Sequence, residues 1–193
     1  MAATESTMLG LGTPAPDFQL PDVVSGRTIR LETFTGKKGL LVMFICPHCP
    51  FVKHIQDELS RLGKDYGAKP LGIVAISSND AVQYPDDAPD GLRAMAKKLE
   101  FTLPYCYDET QVMAKAYQAA CTPDFYLFDE TRHLVYRGQL DDSRPGNGIP
   151  VTGGDLRAAI DAVLADRPVN PRQKPSIGCN IKWKPGNAPA NPK

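Results

Sequence analysis

Leu40-Leu41-Val42-Met43-Phe44-Ile45-Cys46-Pro47-His48-Cys49, continuing into Pro50-Phe51-Val52-Lys53-His54-Ile55, is the stretch that decides how this chain folds. From Gly39 to Cys46 there is no polar side chain, and the run has the length of a strand buried on both faces. Beyond it, Phe51, Ile55, Leu59 and Leu62 recur at spacings of four, four and three, one apolar stripe of an amphipathic helix over 50–63. A strand that ends in C-x-x-C and feeds a helix is expected to set Cys46 at the helix N-terminus. There, free amide N–H groups and the macrodipole favour a thiolate. Cys49 is then close enough to resolve a mixed disulfide formed on Cys46. Pro47 and His48 lie between the two sulfurs, and a protonated imidazole there tunes the thiolate.

Composition narrows the class. The 193 residues carry 22 basic and 22 acidic side chains, a formal net charge of zero, so no field draws the chain to nucleic acid or to an anionic membrane. No apolar run reaches the length of a membrane span. Residues 1–8 contain an acid and lack a basic or apolar leader region, so no signal peptide and a cytoplasmic location are expected. Five cysteines, an odd number, suit redox or catalytic thiols better than a disulfide framework.

Strand and helix patterns alternate along the chain. Residues 17–20 and 28–31 read as a hairpin around Ser25-Gly26. The strand at 39–45 and the helix at 50–63, stopped at Gly63, are followed by a second buried strand at 71–77. A loop rich in Asp and Pro leads to a helix presenting Leu92, Met95 and Leu99. Then come a short strand at 103–107, a helix at 109–120 with Val112, Met113, Ala116 and Tyr117 inward, and antiparallel strands at 125–128 and 133–137. A last helix spans 155–164. This order predicts an α/β fold, a central mixed β-sheet with helices on both faces and an N-terminal β-hairpin extension. Residues 1–11 are expected to be a flexible arm, 12–165 the domain, and 166–193 a proline-rich tail. Ile177, Ile181 and Trp183 should make that tail pack back on the domain.

In this order the motifs resemble the thioredoxin superfamily, in the peroxiredoxin-like (AhpC/TSA-related) branch with a thioredoxin-type C-x-x-C. Gly12-Thr13-Pro14-Ala15-Pro16-Asp17-Phe18-Gln19-Leu20 resembles the opening of peroxiredoxin-like domains. Thr122-Pro123, ahead of Phe125-Tyr126-Leu127-Phe128-Asp129, resembles the cis-proline loop that faces C-x-x-C in thioredoxins. Ser176-Ile177-Gly178-Cys179-Asn180-Ile181-Lys182-Trp183 looks like the ending of a peroxiredoxin-like group that shares the CxHCP element. The resemblance implies a thioredoxin-like fold, a redox-active Cys46–Cys49 pair and a substrate groove at Thr122 and Pro123. C-P-H-C is also the setting of strongly oxidising Dsb-type proteins. Two departures stand out. Against the peroxiredoxin P-x-x-x-T-x-x-C pattern, Cys49 takes the peroxidatic position, Cys46 the threonine and Val42 the proline, while Pro123 stands where the arginine belongs. The buried aspartate of thioredoxins falls on Leu40 or Met43.

The expected activity is thiol–disulfide exchange through Cys46 and Cys49, with no bound cofactor and no metal. Its partners would be a protein or small-molecule disulfide or thiol, together with a reductant or an oxidant. A thiol peroxidase using Cys49 is the rival enzyme, and a metal- or redox-sensing protein that binds a metal or a thiol through Cys46, Cys49 and Cys121 the rival binding protein. C-x-x-C is also half of a zinc site, but no second half appears in the sequence. Cys121 and Cys179 are possible additional thiols, and Cys106 reads as core. His54 and His133 read as structural or solvated, and Asp86, Asp87, Asp90, Asp141 and Asp142 as solvated loop acids.

Overall fold

A computed structural model describes residues 3–190. Its strands are β1 (Ala3–Glu5), β2 (Gln19–Pro21), β3 (Thr28–Arg30), β4 (Gly39–Phe44), β5 (Leu71–Ser77), β6 (Tyr105–Tyr107), β7 (Cys121–Thr122), β8 (Asp124–Phe128), β9 (Leu134–Gly138) and β10 (Ile177–Asn180). Its helices are α1 (Pro50–Tyr66), α2 (Pro89–Lys98), α3 (Val112–Ala116) and α4 (Gly154–Leu164). The central sheet has the order β6-β5-β4-β8-β9. β4 and β5 lie parallel, with Gly39 opposite Leu71 and Phe44 opposite Ile76. β8 runs antiparallel on the other side of β4.

Every residue of β4 and β5 is buried, because both faces of the sheet are covered. Leu41, Met43 and Ile45 face Val52, Ile55, Leu59 and Leu62 of α1 and Leu156 and Ile160 of α4. Leu40, Val42 and Phe44 face the opposite core, closed by Leu20 and Ile29 of the β2–β3 hairpin and by Ala114 and Tyr117. The strand that delivers Cys46 is therefore clamped from two sides.

Several expectations need correction. α1 does not stop at Gly63 but runs to Tyr66. A Cβ at Gly63 would lie 2.8 Å from the Thr102 hydroxyl, so this glycine serves a close approach and not a helix end. The helix expected over 109–120 shrinks to α3, because Gln111 ahead of it has a left-handed backbone, and Val112 points outward. Asp141 is no solvated acid. It accepts hydrogen bonds from the amides of Ser143, Thr152 and Gly153 and so pins the chain at the start of α4.

The N-terminal segment is not a free arm. β1 pairs antiparallel with β10, Ala3 opposite Cys179, which satisfies backbone groups that would otherwise be left at an edge. β10 in turn pairs with β7, Cys179 opposite Thr122 and Asn180 opposite Cys121. Cys179 and Ile181 are buried, and Trp183 packs against the core on the hairpin side.

Asp124, at the head of β8, is fully buried and accepts a hydrogen bond from the Tyr126 hydroxyl at 2.9 Å. Burial raises its pKa from 3.8 to about 7. The folded chain therefore holds this proton across a window in which the unfolded chain has lost it. The stability that Asp124 contributes is complete below 3.8 and is lost as pH rises through about 7. Urea titrations should show a flatter stability profile across that window for Asp124→Asn than for the parent. Equal slopes would clear Asp124 of the effect.

Candidate active site

β4 ends at Phe44, and the next five residues make the turn into α1. Cys49 is the helix N-cap and Pro50 the first helical residue, where a missing N–H costs nothing. This changes the expected assignment. Cys46, read from the sequence as the residue at the helix N-terminus, lies three positions upstream of the N-cap. Both sulfurs are fully buried and both meet Thr122, whose peptide bond to Pro123 is cis. Cys46 Sγ is 3.3 Å from Thr122 Oγ1, and Cys49 Sγ is 3.1 Å from the Thr122 carbonyl oxygen.

Cys179 completes the cluster. Its sulfur lies 2.9 Å from Cys49 Sγ, brought there by the register of β10 against β7. All five cysteines are free thiols in this structure. Where the groove was expected, β10 pairs with the backbone edge at Thr122, and Pro123 lines a small pocket with Phe51, His54 and Ser176. Cys121 Sγ turns instead to the Pro123 carbonyl at 3.6 Å, and burial pushes its pKa well up.

The sulfurs divide the charge unequally. Hydrogen bonding from Cys46 is the main force holding Cys49 down at about 4, helped by Cys179, the Thr122 hydroxyl and the Val52 amide near the positive end of α1. Burial and the Thr122 carbonyl act against it, since a carbonyl oxygen accepts from a thiol and repels a thiolate. Cys46 moves the opposite way, well above a free thiol, through burial, its bond to Cys49 and the nearby charge of Asp87. Burial, followed by the bond to Cys49, raises Cys179 to about 12. The electrostatics thus favour Cys49, and not the expected Cys46, as the more acidic of the two thiols. Cys49 Sγ, placed as donor to the Thr122 carbonyl and to Cys179 Sγ, is the sulfur whose surroundings favour the charge over Cys46.

His48 is fixed by a residue that the sequence reading left in solvent. Asp87, fully buried, receives the His48 backbone N–H at 3.2 Å and lies 2.5 Å from its Nδ1. It also accepts from Asn79 Nδ2 at 2.8 Å. The imidazole stacks on Tyr84, and its Nδ1 is 3.7 Å from Cys46 Sγ. A buried carboxylate thus reaches the C-x-x-C loop from the 85–87 turn, through His48. No local pattern separates Asp87 from its exposed neighbour Asp86. Only the fold of that turn over the C-x-x-C loop does.

Cys46, His48 and Asp87 have ligand atoms within 4.8 Å of one another, so they are the residues that could hold a metal ion. A metal at this place would use His48 and Asp87 and not Cys121. The contact between Nδ1 and the carboxylate already accounts for the cluster as a hydrogen-bonded pair. Pro47 lines a shallow groove with Lys53, Gln56, Asp86 and Met95, away from the sulfurs. His133 sits in an exposed turn bonded to Thr131, and Cys106 is core.

A mixed sheet with a C-x-x-C at the end of its central strand, facing a cis-proline, defines the thioredoxin-like class. The sequence profile of the AhpC/TSA family matches residues 11–137, and the chain belongs to that family. Among solved structures it is similar to an uncharacterized conserved protein from Geobacillus kaustophilus, with 59% identity over 96% of this chain and 98% of that one and a TM-score of 0.94. A hypothetical protein from Sinorhizobium meliloti 1021 shares 50% identity over 95% of this chain and 100% of that one, with a TM-score of 0.93. The thioredoxin domain of a thiol-disulfide oxidoreductase from Bacteroides vulgatus shares the fold at 19% identity, over 70% of this chain and 90% of that one, with a TM-score of 0.56. No curated protein sequence matches significantly.

Two measurements check this geometry. Thiolate absorbance near 240 nm in the reduced protein should fall in a step near pH 4 that disappears in Cys49→Ser and persists in Cys179→Ser. A step that follows Cys46 would return the charge to the first cysteine. Replacing Asp87 by Ala orphans the His48 amide and ring nitrogen and the Asn79 amide, at about 1–3 kcal/mol for each buried group left unpaired. Chemical denaturation should show a loss of at least about 2 kcal/mol; a loss below about 0.5 kcal/mol, the level of a surface change, would make the buried pair unimportant.

Proposed function

We propose that the protein is a thiol–disulfide oxidoreductase that cycles Cys46 and Cys49 between dithiol and disulfide. The observation that carries this reading is the convergence of both sulfurs on Thr122, beside the cis peptide bond, at 3.3 and 3.1 Å. Two cysteine sulfurs gathered at one peptide, one of them a low-pKa thiolate, have the makings of an exchange site.

The Cys49 thiolate attacks one sulfur of a substrate disulfide. A new S–S bond forms, and the other substrate sulfur leaves as a thiolate. Cys46 then loses its proton to that leaving group and attacks Cys49 Sγ. The second substrate thiol departs and the Cys46–Cys49 disulfide closes. Two electrons have passed to the substrate, and an external dithiol returns them. The same steps run backwards oxidise a substrate dithiol. The protein's own sulfurs carry the electrons, so the reaction needs a disulfide or thiol substrate and a redox partner but no cofactor.

One feature also favours a peroxidase, namely that its surroundings lower the pKa of Cys49, the position that aligns with the peroxidatic cysteine. Cleaving an O–O bond requires donors at the departing oxygen, each worth on the order of 3 kcal/mol or a hundredfold in rate. Here Cys46 and Pro123 occupy the threonine and arginine positions.

Insulin reduction with dithiothreitol as electron source should be accelerated by the protein and fall to the uncatalysed rate in both Cys46→Ser and Cys49→Ser. Unchanged turnover in either variant would remove the dithiol mechanism. Peroxide consumption that survives Cys46→Ser but not Cys49→Ser would put the peroxidase first.

A further inference from the structure

We propose that Cys179 is a third redox thiol of this site, which attacks Cys49 to give a Cys49–Cys179 disulfide in exchange with Cys46–Cys49. The inference rests on the dithiol reading above and extends it to a residue outside the C-x-x-C.

Three independent features put Cys179 where this chemistry needs it. Its sulfur is 2.9 Å from that of Cys49, although 130 positions separate them in sequence. The approach is built into the strand. A Cβ at Gly178 would lie 2.0 Å from the Thr122 carbonyl oxygen and 2.6 Å from its carbon, so only glycine lets β10 come this close to β7. The strand is also held on both sides of the cysteine. Ser176 Oγ donates to the Pro123 carbonyl at 2.6 Å, and the Ile181 amide donates to the Ala120 carbonyl at 3.0 Å.

The electrostatics time the attack. In the reduced protein burial keeps Cys179 protonated, and its bond to Cys49 and the Cys49 charge add to that. Once Cys49 enters a disulfide its charge is gone, and both of those contributions go with it. The pull of the Lys182 ammonium and of the Phe51 amide at the α1 N-terminus remains. Oxidation of Cys49 thus removes two of the three contributions that hold the Cys179 proton, while burial, the largest, stays.

The step balances without any added oxidant. The Cys179 sulfur bonds to Cys49, the Cys46–Cys49 bond breaks, and Cys46 leaves as a thiolate that takes up the proton lost by Cys179. The same attack on a substrate held at Cys49 releases the substrate as a thiol. A substrate strand that pairs with Thr122 must displace β10, so the Cys49–Cys179 bond also holds that edge closed.

The test uses the full-length protein as wild type, Cys46→Ser and Cys179→Ser. Each is reduced, oxidised with diamide, blocked with N-ethylmaleimide and mapped by mass spectrometry of peptic peptides. Oxidised Cys46→Ser should lose two of its thiols and yield a linked peptide pair joining Cys49 to Cys179. Cys179→Ser should yield Cys46–Cys49. If Cys46→Ser keeps all its thiols while wild type and Cys179→Ser form Cys46–Cys49, the present proposal falls and the dithiol reading stands. If Cys46→Ser forms Cys49–Cys179 while neither other protein forms Cys46–Cys49, the dithiol reading falls and Cys179 is the partner of Cys49. Circular dichroism of reduced Cys46→Ser, with Cys46→Ala beside it, controls for folding. A linkage formed in wild type but in neither folded variant counts against the proposal.

Discussion

The antiparallel pairing of β10 with Thr122 governs the rest of this site. It joins a segment near the chain's end to the loop that faces the C-x-x-C, and it seals three sulfurs under backbone. Without it, Cys49 would face solvent at a helix N-terminus, as an isolated C-x-x-C would. With it, the sulfur is dry and lies against Cys179 and the Thr122 carbonyl. Hydrogen bonds strengthen in such surroundings and unpaired charge becomes costly, so the placement of each donor decides which sulfur ionises.

That is why the surroundings favour a charge on Cys49 over the expected cysteine. Local reasoning places the positive potential of α1 on Cys46. In the fold the N-cap is Cys49, and the Asp87 carboxylate lies on the Cys46 side. His48 is turned toward Asp87, so its ring is less a free counter-charge for a thiolate than half of a buried pair. Asp87 discourages a negative charge on Cys46 and at the same time positions the loop that carries it.

Burial also constrains access. Under the proposed exchange a substrate disulfide has to reach two fully buried sulfurs, so part of their cover, to which β10 contributes, has to open. The strand is short and its hold is mainly backbone pairing to β1 and β7, with Ile181 and Trp183 as apolar anchors beyond it. Segments of this kind draw on the low end of a protein's local stability, where opening is cheaper than global unfolding.

Much of the fold was legible in the sequence because its signals are local. The unbroken apolar runs at 39–46 and 71–77 have the length of strands covered on both faces, and the stripe Ile55, Leu59, Leu62 has the period of a helix laid against them. C-x-x-C after such a strand and Thr122-Pro123 are two marks in the sequence that the fold brings into contact. The remainder depended on contacts between distant segments. Asp87 and Asp86 are chemically alike, and only the 85–87 turn buries one of them against His48. Gln111 ends a helical pattern early because its side chain is needed between Ser78 and Lys182. Cys179 reads as one more cysteine in a proline-rich tail until Gly178 lets the strand touch Thr122. The sequence by itself determined the sheet, the helix and the pair of cysteines, since periodicity and burial are written residue by residue. Which sulfur bears the charge, and which third sulfur faces it, only the tertiary structure decided, because charge in a dry site depends on neighbours brought from 39 and 130 positions away.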